Sequence, residues 1–184
     1  MATFATDNFV GGSEIDVVKV GNKLSSYTLT GGTNPGNFLV LTAAGSYTLG
    51  GVSHFGTIGL NAAGGNAITV TSGTLSGGTV AIFDGTSGNN VVTVTGVTGE
   101  TARYVVGAAS SDIFTGGAEN DQVGAASVGP GKTLTVKLRS GNDTVTGAGA
   151  LGTIIVHGGT GVVTLTGLPS ARRRARPDWR AAPP

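Results

Sequence analysis

The residues best placed to do chemistry lie in two near copies of one phrase, 105 residues apart: Thr6-Asp7-Asn8-Phe9-Val10-Gly11-Gly12-Ser13-Glu14-Ile15-Asp16-Val17-Val18 and Ser111-Asp112-Ile113-Phe114-Thr115-Gly116-Gly117-Ala118-Glu119-Asn120-Asp121-Gln122-Val123. Each copy holds two Asp nine residues apart, each Asp is followed two places on by a large apolar residue, and a Gly-Gly pair stands between them. Carboxylates at fixed intervals beside glycines are the ingredients of a site for a hard cation. Calcium takes about six to eight oxygen ligands, mostly carboxylates and backbone carbonyls. Glycines let a turn curl its carbonyls inward, through conformations that β-carbon sterics deny to other residues. The fourth place of the second nonapeptide is Glu14 in one copy and Glu119 in the other, a further carboxylate or a weaker turn. The same residues have a second reading, in which each Asp side chain bonds the backbone of its own turn.

These residues need elements to carry them. Residues 2–19 divide into two nonapeptides and 107–124 into two more, with further copies at 138–146, around Gly141 and Asp143, at 85–93, where Asn90 takes the Asp place, and at 158–166, where Val163 does. Between them run short stretches such as Asn37-Phe38-Leu39-Val40-Leu41-Thr42, Ala67-Ile68-Thr69-Val70-Thr71 and Val91-Val92-Thr93-Val94-Thr95, bounded by Gly, Asn and Ser. Period-two runs between turn residues are strands, so the chain reads as all-β. Nine residues carry the chain from one side of a flattened solenoid to the other, and about two such steps complete a coil. Asn90 and Asp112 are 22 residues apart, as are Asp121 and Asp143. The spacing predicts that each pair stacks, with neighbouring strands about 4.8 Å apart.

Composition agrees. The chain of 184 residues has 34 Gly and 11% charged residues, against about 25% charged in an average globular protein. There is no cysteine, which excludes disulfides and thiolate metal sites. No basic start followed by an apolar run marks a cleavable signal, and no stretch approaches the length of a membrane span. Up to Gly167 six basic side chains face nine acidic ones, whereas the end carries Arg172, Arg173, Arg174, Arg176 and Arg180 against Asp178 alone. The expected organisation is a solenoid over 1–167 and a disordered basic tail over 168–184.

Other motifs carry less. Ala126-Ser127-Val128-Gly129-Pro130-Gly131-Lys132-Thr133 fits a loose phosphate-loop pattern, but Leu134-Thr135-Val136-Lys137-Leu138 continues as a strand where a phosphate loop must enter a helix. His54 and His157 begin no H-E-x-x-H, and no G-x-S-x-G is present. Glu14/Asp16 and Glu119/Asp121 are carboxylate pairs of the kind that cleave glycans, yet aromatics to line a sugar cleft are few. The chain is expected not to be an enzyme and not to bind nucleic acid.

With its paired Gly-Gly-x-x-x-Asp nonapeptides, the chain resembles the RTX, or haemolysin-type calcium-binding repeat, family of bacterial exported proteins, in particular its glycine-rich surface and S-layer-like members. The resemblance is densest at 2–19 and 107–146 and weaker over 52–106. It implies a right-handed parallel β-helix or β-roll that folds on calcium outside the cell, exported by a type I route. It also implies that Asp7, Asp16, Asp112, Asp121 and Asp143 are ligands and that Gly11, Gly12, Gly116, Gly117 and Gly141 donate carbonyls, and Glu119, beside Asp121, is counted with them as a candidate ligand on its own carboxylate. The departures are Glu14 and Glu119 for Gly, Asn90 and Val163 for Asp, and a basic tail in place of an export signal. The expectation is a secreted or cell-surface calcium-binding solenoid, with calcium ions and further copies or a surface polymer as partners. The alternatives are a metal-free structural or adhesive β-helix and a carbohydrate-active one.

Overall fold

The computed structural model describes residues 9–21, 28–71, 79–85, 88–95 and 101–168. The chain runs β1 (Phe9–Val10), β2 (Val17–Val20), β3 (Leu29–Thr30), β4 (Phe38–Leu41), β5 (Gly45–Thr48), β6 (Val52–Ser53), β7 (Thr57–Leu60), β8 (Asn66–Val70), β9 (Thr79–Asp84) and β10 (Val91–Val94). It continues through β11 (Thr101–Val105), β12 (Ile113–Thr115), β13 (Gln122–Gly124), β14 (Thr133–Lys137), β15 (Asn142–Thr146), β16 (Thr153–His157) and β17 (Val162–Thr166). Among the described residues the helical structure is a three-residue 3-10 turn, Leu49–Gly51. The all-β expectation holds.

Strands alternate between two long parallel sheets. One has eight strands in the order β17-β15-β13-β11-β9-β7-β4-β2, the other six in the order β16-β14-β12-β10-β8-β5, and β1-β3-β6 form a third, short sheet. Because hydrogen-bonded neighbours are not chain neighbours, each pairing closes one coil, and the molecule is a parallel β-solenoid. The two-sided coil follows from the sequence step: Asp112 precedes β12 in the six-stranded sheet, and Asp121, nine residues later, precedes β13 in the eight-stranded one. The coil is 22 residues from β10 to β12 and from β13 to β15, 24 from β8 to β10, and 20 from β15 to β17.

The apolar residue two places after each Asp builds the core. Val18, Phe114, Val123 and Val145 follow Asp16, Asp112, Asp121 and Asp143 at that distance, and all four are buried. Register stacks them into columns: Ile68, Val92, Phe114 and Val136 up the six-stranded sheet, and Ile58, Ile82, Tyr104, Val123 and Val145 up the eight-stranded one. Each large apolar side chain so buried contributes roughly 1.5–3 kcal/mol. Between the sheets, the Tyr104 and Phe114 rings stack at 5.5 Å and 7°. In the last coil, Val156 and Leu165 occupy the same columns but are only half-buried, because no described coil lies above them.

The loose phosphate-loop run sits in the turn between β13 and β14 and leads into a strand. Residues 169–184, most of the expected basic tail, lie outside the described residues, as does Asp7. No described helix is long and apolar enough to cross a membrane.

Candidate functional site

Each of the two long sheets has Asp and Asn stacked at the corner where the chain enters a strand. In the six-stranded sheet the stack runs Asn66, Asn90, Asp112, and in the eight-stranded sheet Asp16 stacks under Asn37 and Asp121 under Asp143. In a parallel ladder a residue's N–H and C=O point to the same neighbouring strand. Asn90 obeys this with its carbonyl, which accepts the N–H of Ile113 at 2.8 Å. Its own N–H should meet the carbonyl of Ser111, but at the corner that place is taken by Asp112 Oδ1, 2.8 Å away. The side chain replaces the missing peptide.

The replacement recurs. Asp143 Oδ1 accepts the N–H of Asp121 at 2.8 Å, Asp121 Oδ1 that of Ala102 at 3.3 Å, Asn90 Oδ1 that of Asn66 at 2.9 Å, and Asn37 Oδ1 that of Asp16 at 2.8 Å. Both predicted stacks, Asp121 with Asp143 and Asn90 with Asp112, are therefore present and hydrogen-bonded.

A second series runs one residue earlier, on the outside of the corner and in the opposite sense. Asn89 Oδ1 accepts the N–H of Ser111 at 2.8 Å, Ser111 Oγ that of Thr133 at 3.1 Å, and Asn120 Oδ1 that of Asn142 at 2.6 Å. The pairs Asn89-Asn90, Ser111-Asp112 and Asn120-Asp121 thus clamp a coil to the ones above and below. Sequence reasoning missed these outer residues. The signal was the Asn or Ser that immediately precedes the Asp position.

Asp112 is the most enclosed of the carboxylates. Its Oδ2 accepts the hydroxyl of Tyr104 at 2.6 Å, and Ser110 Oγ lies 3.0 Å from it and also against Asp84 Oδ2, so that its single hydrogen serves one of the two carboxylates at a time. Asp84 Oδ2 in turn accepts the N–H of Gly107 at 3.1 Å. Burial drives the Asp112 pKa above the usual carboxylate range, a shift that the Tyr104 and Asn90 bonds oppose and the Asp84 charge reinforces. Burial likewise pushes the Tyr104 phenol up, with the Asp112 charge adding to it.

Asp121 and Asp143 form the best pair on the other sheet, each 2% exposed. Asp121 Oδ2 accepts the N–H of Gly117 at 2.8 Å, closing its own turn. A β-carbon on Gly116 would run into that same oxygen, so glycine is what lets the carboxylate fold back. Gly141 is needed for another reason: it holds φ at +112°, and a β-carbon there would run into the backbone carbonyl of Glu119 in the coil below. Burial raises Asp121 to about 6, against the Gly117 bond and with help from the Asp143 and Glu119 charges. Burial raises Asp143 as well, opposed by the bond from Asp121.

The first turn differs from its sister. Asp16 Oδ2 faces Gly11 as Asp121 Oδ2 faces Gly116, but it is buried with no hydrogen-bond partner. Gly12, the counterpart of Gly117, uses its carbonyl to accept the N–H of Thr33 at 3.1 Å. Glu14 is exposed and Glu119 half-exposed.

This donor set can be tested against calcium. A cation needs oxygen lone pairs with no positive group in front of them. At Asp112 and Asp121 both carboxylate oxygens face N–H or O–H donors, and at Asp143 one does. Among the described residues no three His, Asp or Glu side chains converge. At Asp112 and Asp121 the arrangement does not fit the ion, whereas at Asp143 donors engage one oxygen only. Among the described carboxylates, Asp16 has a buried oxygen without a donor, and Asn66 Oδ1 is a second such oxygen on an uncharged side chain. No protein-family model, curated protein or solved structure matches the chain.

Proposed function

We propose that the chain is a non-enzymatic structural β-solenoid of a secreted or cell-surface protein, whose coils are held by hydrogen bonds within the chain and whose flat sheet faces meet other surface components or further copies. The observation that carries this is the commitment of the Asp112 and Asp121 carboxylates to backbone and hydroxyl donors, which supports a role in closing the fold rather than in holding substrate or metal. Part of one outward face agrees with it. On the six-stranded sheet, a shallow groove over β5, β8 and β10 is lined by Ser46, Thr48, Ala67, Thr69, Val91 and Thr93, hydroxyls and methyls without a charge. An antibody raised against the chain and applied to intact and lysed source cells tests the reading. Label on intact cells or in the medium supports it, and label confined to lysed cells sinks it.

A second reading, calcium-coupled folding in the RTX manner, is favoured by one observation, the donor-free Asp16 Oδ2 beside Gly11. Its test is a calcium titration of the thermal midpoint with magnesium as control. A calcium-specific rise lost in Asp16→Ala would establish it.

A further inference from the structure

We infer that in this chain the Asp at the corner before a strand stands in for a backbone carbonyl, so that Asp112, Asp121 and Asp143 close the ladder between coils without a metal ion, through an acceptor oxygen rather than through charge. This rests on the structural reading above and deepens it, by naming what holds the coils where the resemblance assigns calcium.

Three observations carry it. The first is topological: at each corner the N–H of the residue one coil below points up the solenoid, its ladder carbonyl is displaced by the turn, and one side-chain oxygen fills the place at 2.8 Å for Asn90 and Asp121. The second is substitution within the chain itself. Asn37 and Asn90 occupy the same column positions and make the same bond, at 2.8 and 2.9 Å, with an amide that carries no charge to offer a cation. The third is the fate of the other oxygen. Asp112 Oδ2 receives Tyr104 and Asp121 Oδ2 receives Gly117, so that a positive hydrogen already stands in front of each oxygen.

An amide keeps the acceptor oxygen and drops a charge that burial penalises. A metal ligand tolerates that change poorly, because the lost charge is much of what binds calcium. The two roles therefore separate by one atom. The full chain is compared with Asp112→Asn, Asp121→Asn and Asp143→Asn, and with the three Asp→Ala variants, by far-ultraviolet circular dichroism and thermal midpoint in chelator, calcium and magnesium. The expected result is a wild-type β signal in chelator and no calcium-specific change in any variant. Asp143→Asn should lie at or above the wild-type midpoint, and Asp112→Asn near it because the Tyr104 and Ser110 hydroxyls can turn to accept from the amide. Asp121→Asn should lie below it by one lost backbone acceptor yet above Asp121→Ala, and the Ala variants several degrees below wild type. A calcium-specific gain that the Asn variants lose would overturn the inference, as would an unfolded wild type in chelator or Ala variants as stable as wild type. None of those outcomes concerns where the protein resides, so the surface role stands or falls separately on the antibody labelling.

Discussion

Asp143 and Asp121 sit one above the other, 22 residues apart, and the upper carboxylate accepts the backbone N–H of the lower residue at 2.8 Å. The bond serves the ladder, but it also puts two carboxylates in one buried column. Each raises the cost of ionising its neighbour. The chain accepts that cost because an N–H without a partner at this corner would cost about 1–3 kcal/mol.

The first prediction follows from that column. Asp121 is raised to about 6 by burial, with the Asp143 charge contributing. A folded-state value above the unfolded one, about 3.9, means that the folded chain binds the proton more tightly. The stabilisation is therefore complete below about pH 4 and lost as pH rises through about 6, on the order of 2–3 kcal/mol across the window. The thermal midpoint should fall between pH 4 and pH 7, and Asp121→Asn should flatten that fall. An unchanged slope in the variant would refute the assignment.

The glycines should not be equal. A β-carbon on Gly116 meets the Asp121 carboxylate, whereas a β-carbon on Gly12 meets nothing within 4 Å. Gly116→Ala must displace Asp121 Oδ2 and loosen its bond from Gly117, a loss of about 1–3 kcal/mol. Gly12→Ala is expected to be neutral or slightly stabilising, since it restricts the unfolded chain. Urea denaturation of both variants checks the contrast. Equal costs would mean that the motif, rather than the local space, sets the need for glycine.

Within the six-stranded column, Asn66 donates its backbone N–H to Asn90 but has a buried amide whose two atoms have no partner. A buried amide without bonds costs roughly 1–3 kcal/mol on protein scales. The column itself changes to Leu134 above Asp112, so the interior accepts an aliphatic there. Asn66→Leu is expected to raise the midpoint. Asn90→Leu should lower it, because Asn90 Oδ1 holds Asn66 and its Nδ2 donates to the Gly88 carbonyl at 3.0 Å. Midpoints moving in the same direction for both would contradict the hydrogen-bond account.

The coils were legible in the sequence because two periods agree. Apolar residues two places after each Asp define the strand's inner face, and the 22-residue spacing places Asp121 under Asp143 and Asn90 under Asp112. The chemistry of the Asp side chains was not legible. A turn carboxylate that faces a cation and one that faces a backbone N–H need the same glycines at the same spacing, and the choice depends on where the ladder carbonyl of the preceding residue goes. Tyr104 was equally hidden: its hydroxyl reaches Asp112 across the coil from the other sheet, a contact that no local pattern announces.

That contact gives the fourth prediction. Tyr104→Phe keeps the ring that stacks on Phe114 and removes the hydroxyl that bonds Asp112 Oδ2. The cost is about 1–3 kcal/mol, or several degrees at roughly 2–4 °C per kcal/mol for a chain of this size. In an Asp112→Asn background the carboxylate is gone, and the same Tyr104→Phe change should cost less. A double-mutant cycle on thermal midpoints measures the difference. A coupling near zero would mean that Tyr104 acts through packing alone.

The two Gly-Gly turns differ at one oxygen, and this leads to the last prediction. Asp121 Oδ2 is capped by Gly117, whereas Asp16 Oδ2 is buried beside Gly11 with no donor. Removing Asp121 to Ala therefore breaks bonds to Gly117 and Ala102. Removing Asp16 to Ala relieves a stranded oxygen and leaves the backbone N–H of residue 16 still donating to Asn37. In chelator Asp16→Ala should be far less damaging than Asp121→Ala, and neutral within about 0.5 kcal/mol. In calcium the comparison becomes diagnostic. If the ion occupies the first turn, Asp16→Ala loses a calcium-dependent rise in midpoint that Asp121→Asn retains. Identical behaviour of wild type and Asp16→Ala in both conditions would leave the first turn, like the others, held by the chain alone.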